Sequence, residues 1–294
     1  MKRGYGARKE SKKILDYCGA FRTSDISLPS YFMLEKENIP DVRDQGTVNS
    51  CVAFAITNIL QIFNQIETGK RSRFSAGYVY GKCRDENDRY QGMDIRTTLD
   101  YLIKTGSCPE DDFPENIEVP EIMEKVRNRP DLDEKAHPYN IKAYEVYTWA
   151  SEERRNRDIK AALYQYKTPI LANTEYYGAR HAICIIGWDD HAEKYTILNS
   201  WGKSWGKNGI GTVPYSEIEG GYLLVDEKNS DIIMPFTDVS ENEWYYKAVQ
   251  HVYNAGLMNG TSETTFEPEK YMTRAEMAQV LVNLCKKIDA LQEK

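Results

Sequence analysis

Residues 45–54 read Gln-Gly-Thr-Val-Asn-Ser-Cys-Val-Ala-Phe, which puts Cys51 at the head of an apolar run. The run continues with the helical spacing of Ile56, Ile59, Leu60 and Phe63. A thiol in the first turn of a helix lies near the positive end of the helix dipole, which favours the thiolate, the nucleophilic form. The segment therefore predicts either a nucleophilic cysteine or a core cysteine on an amphipathic helix.

Two segments far along the chain favour the nucleophile. His181 opens an apolar run typical of a buried strand, and Asn199 opens the sequence Asn-Ser-Trp-Gly-Lys-Ser-Trp-Gly-Lys-Asn-Gly. His181 lies 130 residues after Cys51, and Asn199 lies 148 residues after it. A nucleophilic Cys with His and Asn about 130–150 residues downstream is the arrangement of papain and the cathepsins. On these three blocks, residues from about 30 to 228 resemble a papain-like cysteine peptidase.

The resemblance implies a role for each matched residue. Cys51 would be the nucleophile, and His181 would act as general base and then general acid. Asn199 would accept a hydrogen bond from the imidazole and fix its tautomer. Gln45, six residues before Cys51, would donate from its side chain to the developing oxyanion. The alternatives are a strand-edge histidine at 181 and a turn asparagine at 199.

Two further positions are expected to serve the substrate site. Trp201 would cover the His–Asn hydrogen bond from water, and Gly92 would contact the substrate backbone. The alternatives are a core tryptophan and an ordinary loop glycine. The sequence departs from the family at Val48, where a disulfide cysteine is usual, and at Val52, where tryptophan is usual. Neither change removes a reacting group.

The cysteines carry no zinc-binding pattern. The six are Cys18, Cys51, Cys83, Cys108, Cys184 and Cys285, and no two form a C-x-x-C pair. We expect the cysteines other than Cys51 to be mostly reduced and structural, with Cys184 in a core strand. The resemblance implies neither a metal nor an organic cofactor.

The order of the elements predicts an α+β fold. Helices are expected first, from Cys51 to about residue 65, at 74–80 and after residue 94; strands are expected later, at 170–172, 181–188, 195–199, about 209–214 and 222–225. The resemblance implies the papain-like two-lobe fold, with a helical lobe, an antiparallel β-barrel-like lobe and the cleft between them. Residues 39–43 resemble the family's first strand. Residues 105–157 contain five prolines, which predicts loops with at most short helices.

A second, smaller unit follows the peptidase. The sequences Phe-Thr-Asp-Val from 236, Ala-Gly-Leu-Met-Asn-Gly from 255, Thr-Phe-Glu-Pro from 265 and Thr-Arg-Ala-Glu from 273 resemble one S-layer homology module. Thr273 and Glu276 form a capping box. We expect one helix face from Trp244, Ala248, Val252 and Ala255, and another from Met277, Val280, Leu281 and Leu284. So short a unit could require self-association, or docking on the peptidase.

The module suggests a ligand. In the family, the positions of Trp244 and Arg274 hold anionic cell-wall polysaccharide, and the arginine fork suits carboxylates. The alternative is that Trp244 is a core residue and Arg274 a solvated residue at a helix start. The predicted organisation is an N-terminal extension at 1–29, the peptidase domain at 30–228, a linker at 229–235, the module at 236–285 and a tail at 286–294.

Charge and hydropathy limit the partners. A net charge of −7 argues against nucleic acid. No apolar run reaches 18 residues, so no transmembrane helix is expected. The basic N-terminus lacks a following apolar stretch, so no secretory signal is expected. Residues 1–40 are too few for a long inhibitory propeptide, so none is expected; a short plug formed by residues 1–30, which would block the cleft, is the alternative.

The sequence thus predicts a bacterial cysteine endopeptidase that acts on proteins or peptides and is tethered to the cell envelope. One alternative is a lysin of phage origin that cuts peptide links in peptidoglycan or S-layer proteins and stays cytoplasmic until lysis. Another is a non-catalytic surface adhesin whose cleft binds peptides. The intact set of Cys51, His181, Asn199 and Gln45 favours the enzyme.

Overall fold

The computed structural model describes Ala7 and residues 27–84, 92–114, 126, 128–147, 151–176, 179–226, 236–240, 243–254, 257–262 and 264–292. Most of the predicted N-terminal extension and the whole predicted linker at 229–235 lie outside these residues. The chain divides after Asp226 into a larger unit and a smaller C-terminal unit.

Five helices are described in the larger unit: α1 (Cys51–Thr68), α2 (Ala76–Cys83), α3 (Ile95–Lys104), α4 (Pro130–Ala136) and α5 (Glu152–Tyr166). Helix α1 is the central one, because every residue from 51 to 64 is buried. It ends at Gly69, whose φ of 72° is the left-handed conformation that closes many helices. The predicted helix from Cys51 is confirmed and runs about one turn longer than expected.

The strands are β1 (Tyr31–Met33), β2 (Ala143–Tyr147), β3 (Ile170–Tyr176), β4 (Ala179–Asp189), β5 (Lys194–Leu198), β6 (Ile210–Pro214) and β7 (Ile218–Val225). They form one seven-stranded sheet in the order β2-β7-β3-β4-β5-β6, with β1 paired to β4. Every pairing is antiparallel. The longest strand, β4, is buried from residue 181 to 188, as its apolar run predicted.

The sheet is packed between two helices. On one face, the Cys184 thiol on β4 donates to the Ala55 carbonyl of α1 at 3.3 Å. On the other face, α5 lies so close to β7 that a Cβ at Gly221 would meet Ile159 at 2.8 Å. Apart from β1 and β2, the strands follow the five helices in sequence, and helices cover both faces of the sheet, which confirms the predicted α+β class.

Two local predictions were wrong. Residues 39–43 are not a strand, and the short strand that joins the sheet here is β1. Pro40 lacks the N–H that a ladder needs, which is consistent with this difference. The segment 105–157 was expected to hold only loops and short helices, yet it contains β2. That strand was missed because it buries the charged residue Glu145 where an apolar side chain would be expected.

The C-terminal unit has two described helices, α6 (Tyr246–Asn254) and α7 (Arg274–Gln292). Its small core consists of Phe236, Val239 and Val249, with Tyr245, Tyr246, Tyr253 and Phe266 packed against it. The predicted capping box is confirmed. The Glu276 N–H donates to Thr273 Oγ1 at 3.2 Å, and the Thr273 N–H donates to Glu276 Oε2 at 2.7 Å.

The predicted apolar face of α6 was wrong. Trp244 precedes the helix and is 88% exposed, and Ala248 is also exposed. The helix begins at Tyr246, and the residue that it buries against Phe236 is Val249. Ala255 lies outside the described residues. The expected face of α7 is also largely exposed, at Met277, Leu281 and Leu284. Among the described helices, none has the length and apolar character needed to span a membrane.

Candidate active site

Cys51 is the first residue of α1 and is fully buried. Its sulfur accepts a hydrogen bond from the backbone N–H of Ala182 on β4 at 3.4 Å. Ala182 directly follows His181, so the fold brings together two segments that are 130 residues apart in the chain. This contact joins the head of the central helix to the strand that carries the histidine.

His181 is oriented by a hydrogen bond of 2.7 Å between its Nε2 and Asn199 Oδ1. Asn199 Oδ1 also accepts from the backbone N–H of Ser200 at 2.8 Å, which identifies this atom as the carbonyl oxygen. The Nε2 atom of His181 therefore carries the proton, and Nδ1 is the basic nitrogen. The centroid of the Trp201 ring lies 4.7 Å from that of the imidazole, with the rings tilted by 31°, next to the His–Asn hydrogen bond that this residue was expected to cover.

Gln45 is held against the loop that carries Asn199. Its backbone N–H donates to the Ser200 carbonyl at 2.8 Å, and its Oε1 accepts from the Ser200 hydroxyl at 2.5 Å. Its Nε2 donates to the Val48 carbonyl at 2.7 Å, next to the start of α1. Ser200 thus positions both Gln45 and Asn199. Sequence reasoning missed this role, although Ser200 stands between two residues that the Asn-Ser-Trp block had singled out.

One residue from the N-terminal region lies at the nucleophile. Ala7 is 8% exposed and forms a parallel bridge with Met93. Its backbone lies close enough to the Cys51 thiol to act on the pKa of that group, which it lowers. Met93 follows Gly92, which is itself buried, and Gly92 was expected to contact the substrate backbone. Ala7 therefore occupies space beside the loop where a substrate was expected, which favours the short plug that the sequence left open.

The electrostatics of the site follow from its burial. Burial raises the pKa of Cys51 from 9.0 to about 11, although the backbone hydrogen bonds of Ala182 and Ala7 act in the opposite direction. Burial likewise lowers the pKa of His181 from 6.5 to about 4, against the effect of the hydrogen bond that its Nε2 donates to Asn199. Both shifts favour the neutral forms. In this buried arrangement the pair is therefore a thiol and a neutral imidazole near neutral pH.

The described cysteines, which are Cys51, Cys83, Cys108, Cys184 and Cys285, are all free thiols. Cys184 lies buried in β4, as expected for a core strand. Within the described ranges, no group of three or more His, Cys, Asp or Glu side chains could hold a metal ion.

The two candidate wall-binding residues lie in the C-terminal unit. Trp244 stands before α6 and contacts the Tyr245 ring at 5.5 Å between centroids. Its exposure of 88% excludes the alternative that it is a core residue. Arg274 is the first residue of α7 and is exposed. Both side chains are therefore accessible to a ligand from solvent.

The family model for papain family cysteine proteases matches residues 28–219. The chain belongs to this family. A second model, for the S-layer homology domain, matches residues 235–278. An S-layer homology domain indicates association with the cell surface. Both resemblances noted in the sequence are thereby confirmed.

Curated papain-family relatives are about one quarter identical to this chain over the aligned residues. A cysteine protease of Ambrosia artemisiifolia, Amb a 11.0101, is 28% identical over 189 residues, which cover 60% of this chain and 47% of that protein. The viral cathepsin of Adoxophyes honmai nucleopolyhedrovirus is 23% identical, over 62% of this chain and 56% of the cathepsin. The chain thus spans about half the length of these relatives.

Solved structures share the fold. Xylellain, a cysteine protease from Xylella fastidiosa, superposes with a TM-score of 0.63 at 21% identity, covering 76% of this chain and 97% of xylellain. Digestive procathepsin L 3 of Tenebrio molitor gives a TM-score of 0.56 at 14% identity, covering 76% of each chain. These similarities confirm the predicted papain-like fold.

Proposed function

We propose that the chain hydrolyses peptide bonds with Cys51 as nucleophile and His181 as general base and acid. One observation carries the proposal. The N–H of Ala182 contacts the Cys51 sulfur at 3.4 Å, while the preceding residue, His181, is fixed through Nε2 on Asn199. Because Ala182 contacts the sulfur and directly follows His181, we place the basic Nδ1 beside the thiol in the reacting enzyme.

The reaction follows from these positions. The thiol proton of Cys51 moves to Nδ1 of His181, and the thiolate attacks the substrate carbonyl carbon. The C–N bond then breaks, and the leaving amine takes the proton from His181. The resulting thioester is attacked by water, whose proton passes to His181. The carboxylic acid product leaves, and the proton returns to the Cys51 sulfur.

The developing oxyanion needs hydrogen-bond donors that are fixed in advance. The backbone N–H of Cys51 lies in the first turn of α1, where helix amides point outward. The Gln45 amide nitrogen, which already donates to Val48, carries a second N–H that we assign to the oxyanion. Ser200 supports this role, because its hydroxyl holds Gln45 Oε1 and so fixes which end of the amide faces the site. Loss of the Gln45 donor should lower kcat by about 100-fold or more.

The C-terminal unit would tether the enzyme to the cell envelope. We assign Trp244 and Arg274 to an anionic cell-wall polysaccharide, since both are exposed and a guanidinium suits carboxylates. The exposed apolar residues of α7 support self-association of this unit as an additional role. Sedimentation with purified cell walls, with and without residues 236–294, tests the tether. Equal sedimentation of the two forms would exclude it.

Labelling with a thiol-directed peptidyl epoxide tests the catalytic proposal. We expect the adduct on Cys51 and no peptide hydrolysis by a Cys51→Ser variant. Cys285→Ser, which alters an exposed thiol in the other unit, is the matched control and should keep full activity. Selective labelling of Cys51 without any hydrolysis would favour the peptide-binding adhesin. Labelling spread over several cysteines would refute an activated Cys51.

A further inference from the structure

A cluster of three polar side chains lies on three adjacent strands of the sheet. Asn173 on β3 donates through Nδ2 to Glu219 Oε2 on β7 at 3.0 Å. Arg180 on β4 donates through Nε to the same oxygen at 3.0 Å and through Nη2 to Oε1 at 3.3 Å. The Arg180 guanidinium and the Glu219 carboxylate thus form a two-point ion pair, and the Asn173 amide donates to the same carboxylate.

Strand register puts this cluster beside the nucleophile. Asn173 is the cross-strand partner of Ala182, whose N–H contacts the Cys51 sulfur at 3.4 Å. Side chains two residues apart on a strand share a face, so Arg180, Ala182 and Cys184 all point to the α1 side of the sheet. Cys184 contacts Ala55 of α1, and Ala182 contacts Cys51, the first residue of α1. Arg180 is the next residue along β4 on this face. Two residues of a strand span about 7 Å, so the cluster lies just beyond the Cys51 sulfur, past the N-terminus of α1.

The burial of Asn173 distinguishes the cluster from a surface ion pair. Asn173 is 4% exposed, and among the described residues its Oδ1 has no hydrogen-bond partner. Buried carbonyl oxygens are nearly always paired, because losing water without a replacement is costly. The side chains of Arg180 and Glu219 are 30% and 34% exposed, so the cluster opens to solvent at one side. A hydrogen-bond donor arriving from that side would satisfy Asn173 Oδ1.

We infer that Asn173, Arg180 and Glu219 form a polar specificity subsite that selects a substrate with an uncharged amide side chain, glutamine or asparagine. This inference rests on the proposed peptidase function. The internal ion pair makes the subsite neutral overall, so neither a cationic nor an anionic side chain gains a net Coulombic advantage. An amide can donate to Asn173 Oδ1 and accept from the remaining guanidinium N–H groups of Arg180. An apolar side chain would bury the Asn173 carbonyl without a partner.

Charge substitutions make the inference specific. In an Arg180→Gln variant the carboxylate of Glu219 is uncompensated, so the preference should move to lysine or arginine. In a Glu219→Gln variant the guanidinium is uncompensated, so the preference should move to glutamate or aspartate. Glu153→Gln makes the same chemical change on the exposed start of α5 and should leave the preference unaltered.

The experiment uses peptidyl epoxide probes on the full chain, with Gln, Leu, Arg or Glu at each of two positions next to the reactive group. The rate of Cys51 labelling is measured, so the readout does not require turnover. For the unaltered protein we expect Gln to exceed Leu about 10-fold at one position. Each charge variant should shift the optimum about 10-fold in the stated direction.

The outcomes separate this inference from the proposed function. A preference for Leu that neither charge variant alters would overturn the subsite, even if peptides are cleaved. A preference for Gln that shifts as expected, in a protein that never cleaves peptides, would retain the subsite and remove the peptidase assignment. Loss of labelling in a variant that melts at the wild-type temperature would also count against the subsite, because neither substitution alters a reacting group.

Discussion

Removal of residues 1–15 should activate the Cys51 thiol. Ala7 is buried and is bridged to Met93 beside the site; burial raises the pKa of the Cys51 thiol from 9.0 to about 11, although the Ala7 backbone acts in the opposite direction. Deleting residues 1–15 leaves Cys18 and the other cysteines in place. Water can then reach the sulfur, and the burial that favours the neutral thiol is reduced.

The magnitude follows from the pKa. At pH 7, a thiol with a pKa of about 11 is ionised in about one molecule in 10,000, and one with a pKa of 9.0 in about one in 100. Because the thiolate is the reactive form, alkylation of Cys51 should become about 100-fold faster in the truncated protein. This factor corresponds to complete loss of the burial that raises the pKa of Cys51, so partial exposure of the sulfur should give a smaller increase.

The assay is the rate of alkylation by iodoacetamide as a function of pH, followed by mass spectrometry of the peptide that contains Cys51. Cys285 is exposed in the same molecules and serves as the internal control, with equal rates expected in both forms. Thermal melting checks that the truncated protein is folded. Identical rates and identical pH midpoints for Cys51 in the two forms would refute the view that Ala7 holds the site in its neutral state.

Three further substitutions test the fold and the C-terminal unit. Burial raises the pKa of Glu145 from 4.5 to about 8. The stability that its protonated form supports is therefore complete below pH 4.5 and falls by about 1.4 kcal/mol per pH unit as the pH rises to about 8. Urea denaturation should show that Glu145→Gln avoids this loss, and parallel curves of stability against pH for the two proteins would contradict the prediction. Gly187→Ala would put a Cβ 2.5 Å from the Phe32 carbonyl oxygen and should lower the free energy of unfolding by about 1–3 kcal/mol. An unchanged midpoint of urea denaturation would contradict this prediction. Trp244→Ala should weaken sedimentation with cell walls while changing stability by less than about 0.5 kcal/mol, because this side chain is 88% exposed; unchanged sedimentation would remove Trp244 from the binding site.

Much of the fold and of the candidate site could be predicted from local sequence. The helix from Cys51 and the strand from His181 have apolar periodicities that are nearly free of breakers, so their type and position were clear. The capping box at Thr273 was equally local, since both of its hydrogen bonds join residues three apart. The predicted face of α6 failed because Trp244 lies before the helix, and packing against Phe236, which the spacing does not encode, buries Val249 instead.

The sequence by itself determined the family, because three blocks of unusual residues occur in the right order and at the right separations. It also identified which side chains could react. Only the tertiary structure decided what surrounds them: Ala7 at the Cys51 thiol, the Ser200 hydroxyl on Gln45, and the ion pair of Arg180 and Glu219 beside Asn173. These contacts join residues that are 39 to 155 positions apart. No local periodicity encodes them, because strand register and loop packing arise only when the whole sheet closes on α1.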